Sequence, residues 1–157
     1  MAGEVIWREC RRVCLACSAG GHHAELRRAL EGIVFEDAFL VTYRSDLCRP
    51  AGVRTVYHLA HPRRSLLRSL QNAWQALRLV WRERPQIVIS TGADVALFTI
   101  LWAKLFGARV IFIENGGTLR PSLTGRLVYP VADLFIVQWP EMRRFYPRAR
   151  LASGPLL

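Results

Sequence analysis

The sequence predicts an α/β domain built on a parallel sheet with helices on both faces. Apolar runs at Val13–Ser18, Gln86–Ser90, Ala108–Glu114 and Asp133–Gln138 have strand length and few polar interruptions, as strands buried on both sides require. Between such runs lie segments with helical spacing, above all Ser65–Arg84. Twice a strand-like run breaks into small residues and then a helix, at Ser18-Ala19-Gly20-Gly21 and at Thr91-Gly92-Ala93-Asp94. This alternation of strand, turn and helix is the pattern of a parallel sheet. At 157 residues the chain has the size of one domain.

The first strand, Val13–Ser18, feeds a double-glycine turn and a short helix at His23–Leu30, where Leu26 and Leu30 flank Arg27 and Arg28. Ala38–Thr42 reads as a second strand. Val53–Leu59, β-branched and alternating, reads as a third, joined to the second by a loop or helical turn over Tyr43–Gly52. Ser65–Arg84 is a helix stopped by Pro85, with Leu66, Leu67, Leu70, Trp74, Leu77 and Trp81 in one stripe and arginines at both ends. Two readings of the stripe stand side by side: a core-facing helix, or a helix lying on an anionic membrane surface through Trp74, Arg78, Trp81 and Arg82. Val95–Phe106 is the next helix, ended by Gly107. After the strand at Asp133–Gln138 come a short segment, Pro140–Arg150, and a tail, Leu151–Leu157, expected to be a docking strand or plug, with a frayed end as the alternative.

Ligands of such sheets bind beyond the carboxyl ends of the strands. This puts Ser18–His22, Thr91–Asp94 and Glu114–Arg120 on one rim. Gly20 and Gly21 let the backbone turn tightly and approach a ligand closely. The helix that follows offers free N–H groups to a phosphate. His22 opens that helix and is the candidate general base, since a neutral imidazole is available near neutral pH. His23 points about 100° away around the helix and ranks second; His58 and His61 read as structural or surface residues. Glu114 ends a strand on the same rim, where it orients His22 or holds an acceptor hydroxyl. Asn115-Gly116-Gly117 marks a loop able to gate the site. The turn is neither a GxGxxG fingerprint nor a P-loop.

The formal charge is +10, and of the 22 basic residues Lys104 alone is lysine. Such a surface suits phosphates, whether in nucleic acid, lipid headgroups or a diphosphate substrate. The arginines are scattered over several elements, and no helix-turn-helix, RRM or zinc pattern accompanies them, which argues against nucleic acid. A non-catalytic nucleic-acid module and a self-sufficient small nucleotide-binding enzyme remain the competing readings; the second lacks an acidic residue after the second strand in a ribose-binding context. Cys10, Cys14, Cys17 and Cys48 include a Cys-x-x-Cys, but on a strand Cys14 and Cys17 face opposite sides, so both read as buried apolar residues and no metal is expected. The N-terminus lacks the apolar core of a signal peptide, and Val95–Ala103 falls far short of the ~20 residues that span a bilayer.

SAGGHHAEL, ISTGADVALFTILWAKLFGARVIFIE and PSLTGRLVYPVADLFIVQWPEM with the terminal GPLL resemble the PssD/CpsF family of bacterial polysaccharide glycosyltransferase subunits. They are similar also to the membrane-anchoring subunit of the eukaryotic dolichol-pathway GlcNAc-transferase. The resemblance covers roughly residues 13–157 and implies the N-terminal, acceptor-binding half of a GT-B glycosyltransferase, Rossmann-like and related to the acceptor domain of MurG. The implied reaction is inverting transfer from a UDP-sugar to a polyprenyl-diphosphate-linked saccharide in exopolysaccharide or capsule synthesis. No cofactor is implied; the UDP-sugar donor is held mainly by a separate PssE/CpsG-like subunit. Gly20-Gly21-His22 matches the family's GGH turn, Glu25 an acidic residue one turn later, and Glu114 the glutamate closing the fifth strand. Ser18, Thr91, Gly92, Asn115 and Arg120 complete the expected substrate site. Arg120 is the nearest candidate for an arginine that the family places in a Glu-Ser-x-x-Arg loop, which here reads Glu114-Asn115-Gly116-Gly117-Thr118. A proline-containing turn of the family is also replaced, by Gly92-Ala93-Asp94. Gln138, Trp139, Gly154, Pro155, Leu156 and Leu157 are expected at the partner interface. Without the eukaryotic proteins' transmembrane helix, attachment at the cytoplasmic face of the plasma membrane would fall to surface helices.

Overall fold

The computed structural model describes residues 7–43 and 52–154. Cys48, most of the connection after Tyr43, and Pro155, Leu156 and Leu157 of the expected docking tail lie outside the described residues.

Seven parallel strands form one sheet among the described residues: β1 (Trp7–Cys17), β2 (Ile33–Thr42), β3 (Val53–His58), β4 (Ile87–Gly92), β5 (Arg109–Ile113), β6 (Leu134–Val137) and β7 (Arg150–Leu151). Their order is β3-β2-β1-β4-β5-β6-β7, the Rossmann arrangement in which the winding direction reverses between β1 and β4. The helices are α1 (Gly21–Ala29), α2 (Leu66–Glu83), α3 (Asp94–Leu105) and α4 (Leu123–Val128), with a 3-10 turn at Pro140–Arg144.

Alternation along the buried strands sorts the core into two layers. Cys14, Ala16, Phe39 and Val41 face Ala76, Leu79 and Val80 of α2 and Val95, Ala96 and Ile100 of α3. Val13, Leu15, Cys17 and Leu40 face the other way, against Leu26 of α1. Helices thus cover both faces, though α1 is the one helix contributing buried apolar residues to the second layer among those described. Cys14 and Cys17 fall in opposite layers, as strand periodicity requires. Burial pushes both thiols up, Cys17 to about 12, away from the thiolate that redox and zinc chemistry need.

Strand β1 begins six residues before the apolar run. Its first half is charged and exposed, and it pairs with β2 across a register shift between Glu9 and Arg12. Arg12 Nε donates to Asp37 Oδ2 at 2.6 Å there, so ion pairing replaces the apolar signal. Two short elements joined to the sheet's second half are bounded differently from the sequence reading, which had no helix at the first and began a tail strand at Leu151 for the second. One is α4, whose Ser122 Oγ accepts the Gly125 N–H at 2.8 Å; the other is β7, only two residues long.

The stripe on α2 does not face the core. Leu66, Leu67, Leu70, Trp74 and Trp81 are all exposed, and the buried side consists of Asn72, Ala76, Leu79, Val80 and Glu83. The helix has two apolar sides, and the smaller residues took the interior. Leu105 and Phe106 at the end of α3 are exposed as well, the Phe106 ring packing edge-on against Trp81 at 5.6 Å.

Candidate functional site

At the point where the winding reverses, β1 ends in Ser18-Ala19-Gly20 and α1 begins at Gly21. Gly20 has φ 81°, a value that favours glycine. A β-carbon at Gly20 or Gly21 would meet nothing within 4 Å, so the turn borders open space at the N-terminus of α1. Ser18 is buried beside it.

His22 is locked to the neighbouring strand by a reciprocal pair of bonds. Its Nδ1 lies 2.9 Å from the Thr91 carbonyl oxygen, and Thr91 Oγ1 donates to the His22 carbonyl at 2.7 Å. A carbonyl can only accept, so Nδ1 carries the hydrogen and the lone pair of the neutral ring falls on Nε2. Gly92 and Ala93, with φ of 99° and 85°, turn the chain sharply from β4 into α3; the first leaves room for the Phe112 ring and the edge of His22. A non-glycine residue at φ 85° and ψ 155° is strained, a feature that concentrates at functional sites.

Glu25, one helical turn after His22, is buried at 1% exposure. Its Oε1 accepts from the Gly116 N–H at 2.9 Å and from Gln138 Nε2 at 3.2 Å. Its Oε2 has no hydrogen-bond partner and stands 3.8 Å from His22 Nδ1. Gly116 is held from its other side too, its carbonyl accepting from Trp139 Nε1 at 2.7 Å. The expected gate is therefore anchored at Gly116, and the exposed stretch starts at Gly117 and includes Arg120. Asn115 closes the turn by accepting the Gly117 N–H at 2.7 Å.

Glu114 directly follows β5, where the sequence reading placed it, and its carboxylate is held by partners other than His22. It is 1% exposed, and its Oε2 accepts from the Tyr146 hydroxyl at 2.7 Å while Oε1 accepts from the Asn115 N–H. Burial and that bond both push the Tyr146 hydroxyl up. Gly125 packs so closely on the Glu114 carboxylate that a β-carbon there would collide with it. The acid beside His22 is Glu25, because Glu114 leaves β5 toward the α4 side. Gln138 and Trp139, expected at a partner surface, are buried and half-buried as the clamp on Gly116. Gly154 is exposed and lines a groove of about 360 Å³ with Ala29, Ile113, Leu134, Ile136 and Leu151. His23 faces the interior with Nε2 unbonded, and burial lowers its affinity for a proton. Tyr146, Gln138 and Trp139 are the contributors that residue type and spacing concealed, since their contacts span 23 to 113 positions in sequence.

Among known proteins, residues 54–155 match the family described as "Oligosaccharide biosynthesis protein Alg14 like". The UDP-N-acetylglucosamine transferase subunit ALG14 of Eremothecium gossypii is 34% identical over 97 residues, covering 55% of this chain and 43% of the fungal protein. An N-acetylglucosamine transferase acting on pyrophosphoryl-undecaprenol in Geobacillus kaustophilus is 33% identical over 76 residues, 48% of this chain and 21% of that one. In structure, MurG of Acinetobacter baumannii superimposes with TM-score 0.60 at 15% identity over 91% of this chain and 44% of its own, so the shared feature is the GT-B fold of one half. The chain spans half or less of the length of the fungal relatives it matches.

Proposed function

The chain belongs to the Alg14-like family of oligosaccharide-biosynthesis proteins, and from that premise we propose that it is the acceptor-side subunit of a two-component, inverting glycosyltransferase. The donor is a UDP-sugar held mainly by a PssE/CpsG-like partner subunit. The acceptor is a saccharide on a polyprenyl diphosphate, and the setting is exopolysaccharide or capsule synthesis at the cytoplasmic face of the plasma membrane. No cofactor takes part.

The observation that carries this reading is His22 at the winding reversal, its Nδ1–H bound to the Thr91 carbonyl and its Nε2 left as a base. In the step, Nε2 takes the proton of the acceptor hydroxyl as that oxygen bonds to the anomeric carbon. The bond from that carbon to UDP breaks and UDP leaves with the electron pair, so one attack from the far side inverts the centre. The open backbone at Gly20 and Gly21, heading α1, suits the acceptor diphosphate. The relatives' printed names, a transferase subunit and a transferase acting on a pyrophosphoryl lipid, support both halves of the reading.

The exposed Leu67, Leu70, Trp74 and Trp81 with Arg78 and Arg82 would lay α2 on an anionic membrane. No helix among the described residues is long and apolar enough to cross one.

The test is transfer by the chain reconstituted with its donor-binding subunit. His22→Ala is expected to fold and to lose about 100-fold or more of the rate, the usual share of a general base. Near-normal turnover would remove His22 from the base role.

A further inference from the structure

We propose that Glu25 is the acidic partner of His22, a positioning residue that stabilises the charge the imidazole gains on taking the acceptor proton and that ties the base to the backbone of the Gly116 loop. The inference rests on His22 acting as the base.

The carboxylate is built into the fold at two points and idle at a third. Oε1 is fully engaged by the Gly116 N–H and the Gln138 amide. Oε2 is buried, lacks any hydrogen-bond donor and lies 3.8 Å from His22 Nδ1. A buried carboxylate oxygen left without a donor is costly, and such a group calls for an account of what it faces. Here it faces a nitrogen that already bears a hydrogen, because Nδ1 donates to the Thr91 carbonyl at 2.9 Å. When Nε2 accepts a proton, the ring becomes a cation beside a buried anion, and the two attract across 3.8 Å. Before that transfer the ring is neutral and the attraction is weak. Glu25 therefore acts mainly on the state in which the proton has moved, which is the requirement for raising kcat rather than substrate affinity.

The other charged groups near the ring do not compete for this role. Strand β4 presents Thr91 and Gly92, both neutral. Asp94, in the first turn of α3, lies 3.3 Å from His61 Nδ1. Glu114 accepts from Tyr146, and His23 is buried on α1 facing inward. Glu25 reaches both the base and the loop because positions three apart lie on one face of a helix. Gly116 must be glycine because the Gln138 amide occupies the space of a side chain there. Loop and base are thus set by the same carboxylate.

The experiment compares the natural chain with Glu25→Gln, which keeps an oxygen for the Gly116 N–H and removes the charge. The first readout needs neither partner nor substrate: acylation of His22 by diethyl pyrocarbonate in the full chain, read by mass spectrometry at pH 6 and pH 8. Loss of a neighbouring anion favours the unprotonated ring, so His22 in Glu25→Gln reacts about fivefold faster at pH 6 and equally fast at pH 8. Equal rates at both pH values overturn the pairing. The second readout is transfer in the reconstituted complex, where kcat falls roughly tenfold with KM little changed. A rise in KM alone overturns the positioning role and makes Glu25 a substrate ligand. Glu25→Asp keeps the charge, so it restores slow acylation at pH 6, and it serves alone if the glutamine variant fails to melt cooperatively. Should His22→Ala retain full turnover, the base assignment fails while the acylation result still decides whether Glu25 and His22 are paired.

Discussion

Tyr146 and Glu114 share a hydrogen bond of 2.7 Å between the chain just after the 3-10 segment and the end of β5, with the carboxylate almost sealed from water. The bond assigns Glu114 a structural task and yields a prediction that separates it from catalysis. Tyr146→Phe leaves a buried carboxylate oxygen without its donor, which costs about 1–3 kcal/mol. Gly125→Ala drives a methyl group into the same carboxylate and costs a similar ~1–3 kcal/mol. Denaturant unfolding of the isolated chain measures both. Transfer per folded molecule should stay within about threefold for Tyr146→Phe; a hundredfold loss with unchanged stability would return Glu114 to the reaction.

His23 gives the pH dependence of stability a distinct signature. Burial, with Arg27 nearby, lowers its proton affinity below that of an exposed histidine. The unfolded chain therefore binds a proton more readily than the folded one, and stability rises with pH across the interval between the two values. His23 contributes fully above about pH 6.5, and its contribution is lost as the pH falls through the lowered folded value. Melting temperatures between pH 7.5 and 5 should drop in the natural chain and drop less in His23→Leu. Glu83 and Asp133, whose carboxyls lie below the usual range once their bonds to Tyr57 and Lys104 offset burial, and Glu9, held at about 2 chiefly by Arg11, act at lower pH and do not obscure the comparison. An identical slope in the variant would show that His23 is not the group responsible.

The proposed membrane contact of α2 rests on residues that the fold leaves outside. Trp74 and Trp81 are 61% and 59% exposed, so Trp74→Glu with Trp81→Glu should leave the melt within a few degrees of the parent. Flotation with phosphatidylglycerol vesicles should fall several-fold in the double variant, and in the parent should weaken as salt screens the arginines. Unchanged flotation of the folded double variant would assign the stripe to something other than lipid.

What the sequence disclosed and what it hid follow from where each signal lives. The buried halves of β1, β4, β5 and β6 announce themselves as apolar runs because both faces are covered, and the double glycine locates the rim because no other residue turns so sharply. The charged front of β1 was hidden, since Arg12 meets Asp37 only after the sheet has formed. So was the direction of α2, whose two apolar sides compete for the interior on size as well as hydropathy. Within the site, His22 was legible from its place after Gly20 and Gly21. The surroundings of the two acids were not: contacts to Gly116 and Gln138 in one case and to Tyr146 in the other decide which carboxylate lies beside His22.

Dependence on a second protein is the prediction with the widest reach. This chain superimposes on 44% of the MurG chain, so it matches under half of that protein's length. Transfer requires the acceptor oxygen to come within ~3–3.5 Å of the anomeric carbon, so a half-site holding only the acceptor cannot turn over. On the proposed reading His22, the open turn and the clamped loop belong to that acceptor side. The purified chain should therefore release no UDP from a UDP-sugar and lipid-diphosphate acceptor, and adding the donor-binding subunit should start the reaction. Removing residues 153–157 should abolish co-purification with that subunit and activity together, because Gly154 lies where the chain leaves β7 along the groove beside α1. The truncated chain should still melt cooperatively, since the described core ends before this segment. Robust transfer by the single purified chain would overturn the two-component reading, and co-purification that survives the truncation would move the interface elsewhere on the rim.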